Sequence, residues 1–199
     1  MRRVLMGIVA AMVLAAPARG QDAPERRGFW LGFGLGGGAN LTTTLDDGSP
    51  GGFAGNFRLG GTLNARWLLG GESSSWIRDV EEDTWAYRSN FSAIAIFYPS
   101  ATGGWFVKAG PSIAVLNESS SVSTQVDGVD LTASVSATEV GFGGTLGVGY
   151  DIKIGRNLYL VPEVSYLLQA FSGRTTDTPL GTIPGTNSIL LFTLGLTWH

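Results

Sequence analysis

The chain has 199 residues, 44% of them hydrophobic and 15% charged, with 30 glycines, no cysteine and a single histidine, His199. The lack of cysteine excludes disulfides, thiol nucleophiles and thiolate metal sites, and one histidine argues against His-clustered metals and His-based triads. Beyond the N-terminus no segment is apolar for the 18 or more residues that a membrane helix needs.

The first twenty residues read as an export signal. Arg2 and Arg3 precede an apolar run from Leu5 to Ala16, and Ala18-Arg19-Gly20 supplies small residues at a cleavage site. This is the pattern of a cleavable signal peptide over residues 1–20. A short N-terminal segment, 21–27, then leads into a single domain over 28–199. Without the three signal arginines, ten basic residues face sixteen acidic ones, a net charge of −6. That balance argues against nucleic acid as a partner.

The mature chain alternates with a period of two, the signature of strands. Phe29, Leu31, Phe33 and Leu35 alternate with Trp30, Gly32, Gly34 and Gly36. A second run sets Phe53, Phe57, Leu59 and Leu63 against Asn56, Arg58, Gly60 and Thr62. A third sets Trp67 and Leu69 against Arg66, Gly70 and Glu72. The fourth, Tyr87 to Tyr98, is ambiguous: Arg88, Asn90 and Ser92 share a face with Ile94 and Ile96, so either polarity changes partway or a bulge shifts the register. The fifth, Trp105 to Leu116, places Lys108, Gly110, Ser112 and Ala114 opposite Val107, Ala109, Ile113 and Val115. Its Pro111 cannot donate to a ladder and implies a bulge or an unpaired position. The sixth opposes Val140, Phe142, Leu146, Val148 and Tyr150 to Glu139 and glycines, and the seventh opposes Leu158, Leu160, Val164, Tyr166 and Leu168 to Tyr159, Glu163, Ser165 and Gln169. The eighth opposes Leu190, Phe192, Leu194, Leu196 and Trp198 to Thr193, Gly195 and Thr197.

Connections alternate in length. Thr42 to Gly52, Ser73 to Trp85, Asn117 to Ser136 and Ser172 to Asn187 read as long loops; Asn64-Ala65, Pro99 to Gly104 and Asp151 to Arg156 read as short turns. Long-short alternation is expected of an up-and-down barrel with one end toward the cell exterior and the other toward the periplasm. The face opposite the bulky residues is small, polar or charged, carrying Arg58, Glu72, Arg88, Lys108, Glu139 and Glu163. Such residues make a poor hydrophobic core but fit the narrow lumen of eight strands. The bulky residues then face lipid, where the backbone must be fully paired and the sheet closed. Tyr87, Tyr98, Trp105, Tyr150, Tyr166 and Trp198 lie toward strand ends, as an interfacial aromatic girdle would. The predicted fold is therefore all-β: an eight-stranded antiparallel up-and-down transmembrane β-barrel behind a cleavable signal peptide.

The opening Gly28-Phe-Trp-Leu-Gly-Phe-Gly-Leu-Gly36, the Tyr98-Pro99 step and the closing Leu194-Gly-Leu-Thr-Trp198 resemble the small bacterial outer-membrane barrels of the OmpA/OmpX type. The resemblance covers roughly residues 27–199 and is one of pattern. It implies residence in the outer membrane of a Gram-negative-type bacterium, contact with its lipid and lipopolysaccharide, a monomer, and insertion by the barrel-assembly machinery. Family members end in a signal for that machinery, and Thr193, Gly195 and Trp198 match its first three fixed positions. The chain stops at His199, one residue before the usual terminal aromatic.

No catalytic set, cofactor site or metal site is expected. Glu72 is expected beside Arg88, and Glu163 in a lumen shared with Arg58 and Lys108. Together with Glu139 these form a candidate ion-pair network, because buried charges need partners. Its structural reading is a plug; its functional reading is a gate. Outer-membrane lipases and proteases that rely on histidine are nearly excluded, because His199 falls at the periplasmic tip. Acidic loop residues, Asp46, Asp47, Asp79, Glu81, Glu82, Asp83, Asp127 and Asp130, are candidates for divalent cations or lipopolysaccharide. Three functions follow: a structural or interaction barrel with acidic extracellular loops, a narrow porin-like pore or small-molecule conduit, and a soluble periplasmic ligand-binding barrel.

Overall fold

The computed structural model describes residues 26–42, 51–81, 84–126, 129–172, 177–178, 181–182 and 185–199. The segment read as a signal peptide and the acids Asp46, Asp47, Glu82, Asp83 and Asp127 lie outside them. Eight long strands dominate: β1 (Phe29–Asn40), β2 (Gly51–Asn64), β3 (Trp67–Glu81), β4 (Thr84–Phe97), β5 (Trp105–Val126), β6 (Val129–Tyr150), β7 (Leu158–Ala170) and β8 (Thr186–Trp198). Two-residue strands add a pairing of Ile152–Lys153 with β7 and a small hairpin of Asp177–Thr178 with Gly181–Thr182.

Each long strand pairs antiparallel with its neighbour in sequence. The ring closes because β8 pairs with both β7 and β1, the latter from Leu31↔Trp198 to Asn40↔Ile189. Closure leaves the barrel wall without an open edge, which alone lets a sheet sit in hydrocarbon. The outer wall is apolar: Phe33, Leu35, Phe57, Leu69, Ile113, Leu146, Val148 and Leu194 are exposed, and Phe142 is 79% exposed. The inner side buries Arg58, Glu72, Lys108, Glu163 and a set of Ser, Thr and Asn side chains. A charged interior inside an apolar wall inverts the layout of a water-soluble domain. The chain is a transmembrane β-barrel by this arrangement.

One expectation changes and two open alternatives are resolved. Two segments read as long loops are largely strand: β3 and β4 extend through Ser73 to Trp85, and β5 and β6 pair continuously to Val126↔Val129. Their Ser and Thr content imitates loop composition, yet alternating Val, Thr and Ser suits a sheet when backbone partners are present. The ambiguity in β4 resolves as a change of polarity. Arg88, Asn90, Ser92, Ile94 and Ile96 are all buried on one face, with no register shift against β5. At Pro111 the β4 ladder skips from Ser92↔Ser112 to Ala95↔Ala109 in constant register, so two rungs are lost and the unpaired alternative holds rather than a bulge.

The lumen is also less polar than the alternation implies. Near the short turns an apolar layer packs Trp30, Leu68, Ile94, Ile96, Phe106, Tyr159 and Val161 with Tyr98. Toward the long-strand end a second layer gathers Ala54, Trp76, Ala86, Leu167, Ile189 and Leu191. Trp30 fits because Gly60 and Gly70 face it; a Cβ there would lie 2.7 and 2.8 Å from its Cζ2.

Candidate functional site

Between the two apolar layers sits the ionic cluster, assembled by four strands. Arg58 on β2 and Glu72 on β3 are direct cross-strand neighbours. Lys108 on β5 lies opposite Gly147, and Glu163 on β7 lies opposite Gly149 and Thr193. Glycine opposite a long side chain makes the volume for it. A Cβ on Gly147 would come within 2.6 Å of Lys108 Cε, and one on Gly32 within 3.1 Å of Arg58 Nε.

Lys108 Nζ donates to both oxygens of Glu72, 2.6 Å to Oε1, and to Glu163 Oε1 at 2.6 Å. Arg58 donates through Nη1 to Glu163 Oε2. The remaining lone pairs are served by hydroxyls and an amide: Ser74 to Glu72 at 2.8 Å, Ser165 to Glu163 at 2.8 Å and Asn56 to Glu163 at 3.3 Å. Two cations and two carboxylates leave the cluster formally neutral, with each side chain at most 5% exposed. Burial of ions is costly unless geometry and hydrogen bonding offset it; here both carboxylates are engaged by cations and hydroxyls, while Arg58 Nε has no hydrogen bond.

The other candidates stand elsewhere. Arg88 is not the cross-strand partner of Glu72; it pairs in register with Trp76 and Leu116, while Glu72 faces Ser92. Four residues of β4 separate those positions, about 13 Å of strand. Glu139 is half-buried opposite Leu116, ten positions along β6 from Gly149, which faces Glu163. It therefore stands apart from the cluster, because β6 runs on far beyond its pairing with β7. Thr193 and Gly195 point inward, Thr193 accepting from Asn56 at 3.3 Å, and Trp198 faces outward 6.0 Å from Phe33.

A further polar ladder crosses the lumen above the ions. Asn187 donates to Gln169 at 2.9 Å, Gln169 to Asn90 at 2.9 Å, and Asn90 to Ser112 at 2.9 Å. At the short-turn end a second set forms that sequence reasoning missed. Arg26 lies buried with its guanidinium 3.4 Å from the Tyr98 ring centroid. It donates to Gly103 O at 2.6 Å and Ala101 O at 3.3 Å, and stands 3.6 Å from Asp151. Tyr98, expected in the outer girdle, is buried and donates to Asp151 at 2.9 Å. Burial and the neighbouring Asp151 charge push its phenol pKa well above the usual value, since both disfavour the phenolate. His199 joins from the C-terminal side, 3.6 Å from Asp151 and edge-on to Tyr159. No motif marks this set in the sequence; Arg26 lies two residues before Gly28, whose φ is 73°.

Solved structures of similar shape belong to small membrane barrels. Neisserial surface protein A superposes with a TM-score of 0.53 at 17% identity, covering 85% of this chain and 96% of that one. Ail, the attachment invasion locus protein of Yersinia pestis, solved with the heparin analogue sucrose octasulfate, gives 0.53 at 11% identity, covering 86% and 95%. The fold is that of the small eight-stranded outer-membrane barrels. No protein-family model matches the chain, and no curated protein matches it significantly.

Proposed function

We propose that the protein is an integral β-barrel of a bacterial outer membrane with a structural or interaction role and no enzymatic activity. In this reading the lumen is a plug rather than a passage. The long β5–β6 hairpin and the acidic loops form the presented surface, toward lipopolysaccharide and other partners, and insertion depends on the barrel-assembly machinery. One observation carries the reading. A neutral, hydrogen-bonded ionic layer is buried between two apolar layers, so an ion that passes the Arg26–Asp151 mouth must still cross an apolar layer before it reaches the central charges. The name of the Yersinia barrel, an attachment protein, belongs to that kind of role. The single histidine supports the non-enzymatic part, because its side chain is packed against Asp151 and Tyr159.

Planar-bilayer recording tests the plug. The purified barrel is expected to be electrically silent across the voltage range. Discrete conductance steps that change size in Glu72→Ala would replace this reading with the narrow-pore one.

A further inference from the structure

The two ends of the barrel differ in charge. At the short-turn end stand Arg66 in the β2–β3 turn and Lys153 and Arg156 in the β6–β7 connection; Arg66 and Arg156 are exposed and Lys153 half-exposed. Among the described side chains at this end the carboxylate is Asp151, and it is buried against Arg26. In sequence, the opposite strand ends run through Asp79, Glu81, Glu118, Asp130 and Glu139 with Arg78 and Arg88. Exposed aromatic pairs mark the level of the basic end: Trp67 on Phe97 at 4.7 Å, Trp105 on Tyr150 at 5.2 Å and Trp198 with Phe33 at 6.0 Å. Arg66 adjoins Trp67 in sequence, and Lys153 pairs with Tyr159 beside the Leu158↔Trp198 rung.

We propose that this short-turn rim is a binding surface for anionic phospholipid headgroups. The β2–β3 and β6–β7 turns lie four strands apart in a ring of eight, on opposite sides of the barrel. A compact ligand cannot touch both, whereas a shell of lipids meets both at once. Tryptophan and tyrosine settle at the headgroup level, which sets the neighbouring cations among the phosphates. Basic side chains at that depth attract anionic lipid, and no acidic side chain is exposed there among the described residues to offset them. The inference rests on the membrane-barrel reading above.

The test uses the full barrel in nanodiscs of mixed phosphatidylcholine and phosphatidylglycerol, with the lipids that stay bound on release counted by native mass spectrometry. The native barrel is expected to retain phosphatidylglycerol about five-fold over its share of the mixture. The combined variant Arg66→Ser, Lys153→Ser, Arg156→Ser is expected to retain the two lipids in proportion to the mixture. Equal retention by both proteins, or no preference in the native barrel, overturns the proposal. Heat-modifiable gel migration and flotation with vesicles are measured alongside. A barrel that fails to float overturns the membrane reading itself, whereas one that floats without lipid preference overturns this inference alone.

Discussion

Four whole strands, β1 to β4, separate Arg26 from Tyr98 in the chain, yet the guanidinium lies 3.4 Å from the centre of the phenol ring. Through this contact the residue before β1 grips the β4–β5 turn, and through Asp151 it reaches the β6–β7 connection and His199. The lower mouth of the barrel is thus tied at one point. Arg26→Ala removes a cation–π contact and a charge-assisted hydrogen bond from a buried position, and leaves Asp151 with less compensation. The expected loss is about 2 kcal/mol in urea unfolding of the folded barrel. An unchanged midpoint would mean that the tie is incidental.

The same cluster predicts an alkaline weakness. Tyr98 has a folded pKa above its unfolded value of 10.0, so the folded state holds that proton more tightly. Its contribution is complete below pH 10 and is lost as pH climbs from there toward the folded value. Stability measured by urea midpoint should fall over that range, and Tyr98→Phe should flatten the fall, since it has no proton to lose.

In the ionic layer, Lys108→Met leaves Glu72 without its cation while Glu163 keeps Arg58. A buried carboxylate stripped of its partner costs about 3–5 kcal/mol. Adding Glu72→Gln restores neutrality and should recover much of the loss, a coupling that a double-mutant cycle of unfolding energies reads directly. Additive losses would show that the two groups do not act as a pair.

Much of this was legible in the residues. Strand number and the outward set of Phe33, Leu146 and Leu194 follow from period-two alternation, because the side-chain period of a strand is fixed by its backbone, and closure follows from the need to pair every backbone group in lipid. Arg58, Lys108 and Glu163 were legible as inward for the same reason. What alternation cannot give is depth. Glu72 and Arg88 share the inward face, but antiparallel register places Glu72 opposite Ser92, and Glu139 lies far along a strand that outruns its neighbour. Nor does alternation distinguish an inward aromatic from an outward one at a strand end. Tyr98 reads as girdle by position and is instead drawn inward by Asp151 and Arg26, both from outside its own hairpin.

Packing around Trp30 offers a sharper test of the lumen. Gly60→Val and Gly70→Val place new atoms against the indole and the opposing backbone, so each should sharply reduce the yield of heat-modifiable barrel. Gly61, whose Cβ would meet nothing within 4 Å, faces the other way. Gly61→Val should refold like the native chain, and a comparable loss there would remove the steric explanation.

On the outer wall, Leu146→Arg sets a charge among lipid chains at mid-strand, between Ala109 and Tyr166. The expected cost in a bilayer is about 2–4 kcal/mol, measured as a shift in the reversible unfolding midpoint in vesicles. A shift below about 0.5 kcal/mol, the size of an ordinary surface substitution, would argue that this face meets water.

Tryptophan itself reports which side of the wall faces lipid. Single-tryptophan proteins reconstituted into bilayers with brominated acyl chains separate inner from outer rings by contact quenching. Trp67, Trp105 and Trp198 lie on the outer surface, 42, 50 and 39% exposed, while Trp30 and Trp76 are 1% exposed inside. The three outer residues should be strongly quenched and the two inner ones spared; strong quenching of Trp30 or Trp76 with the outer three untouched would contradict the account.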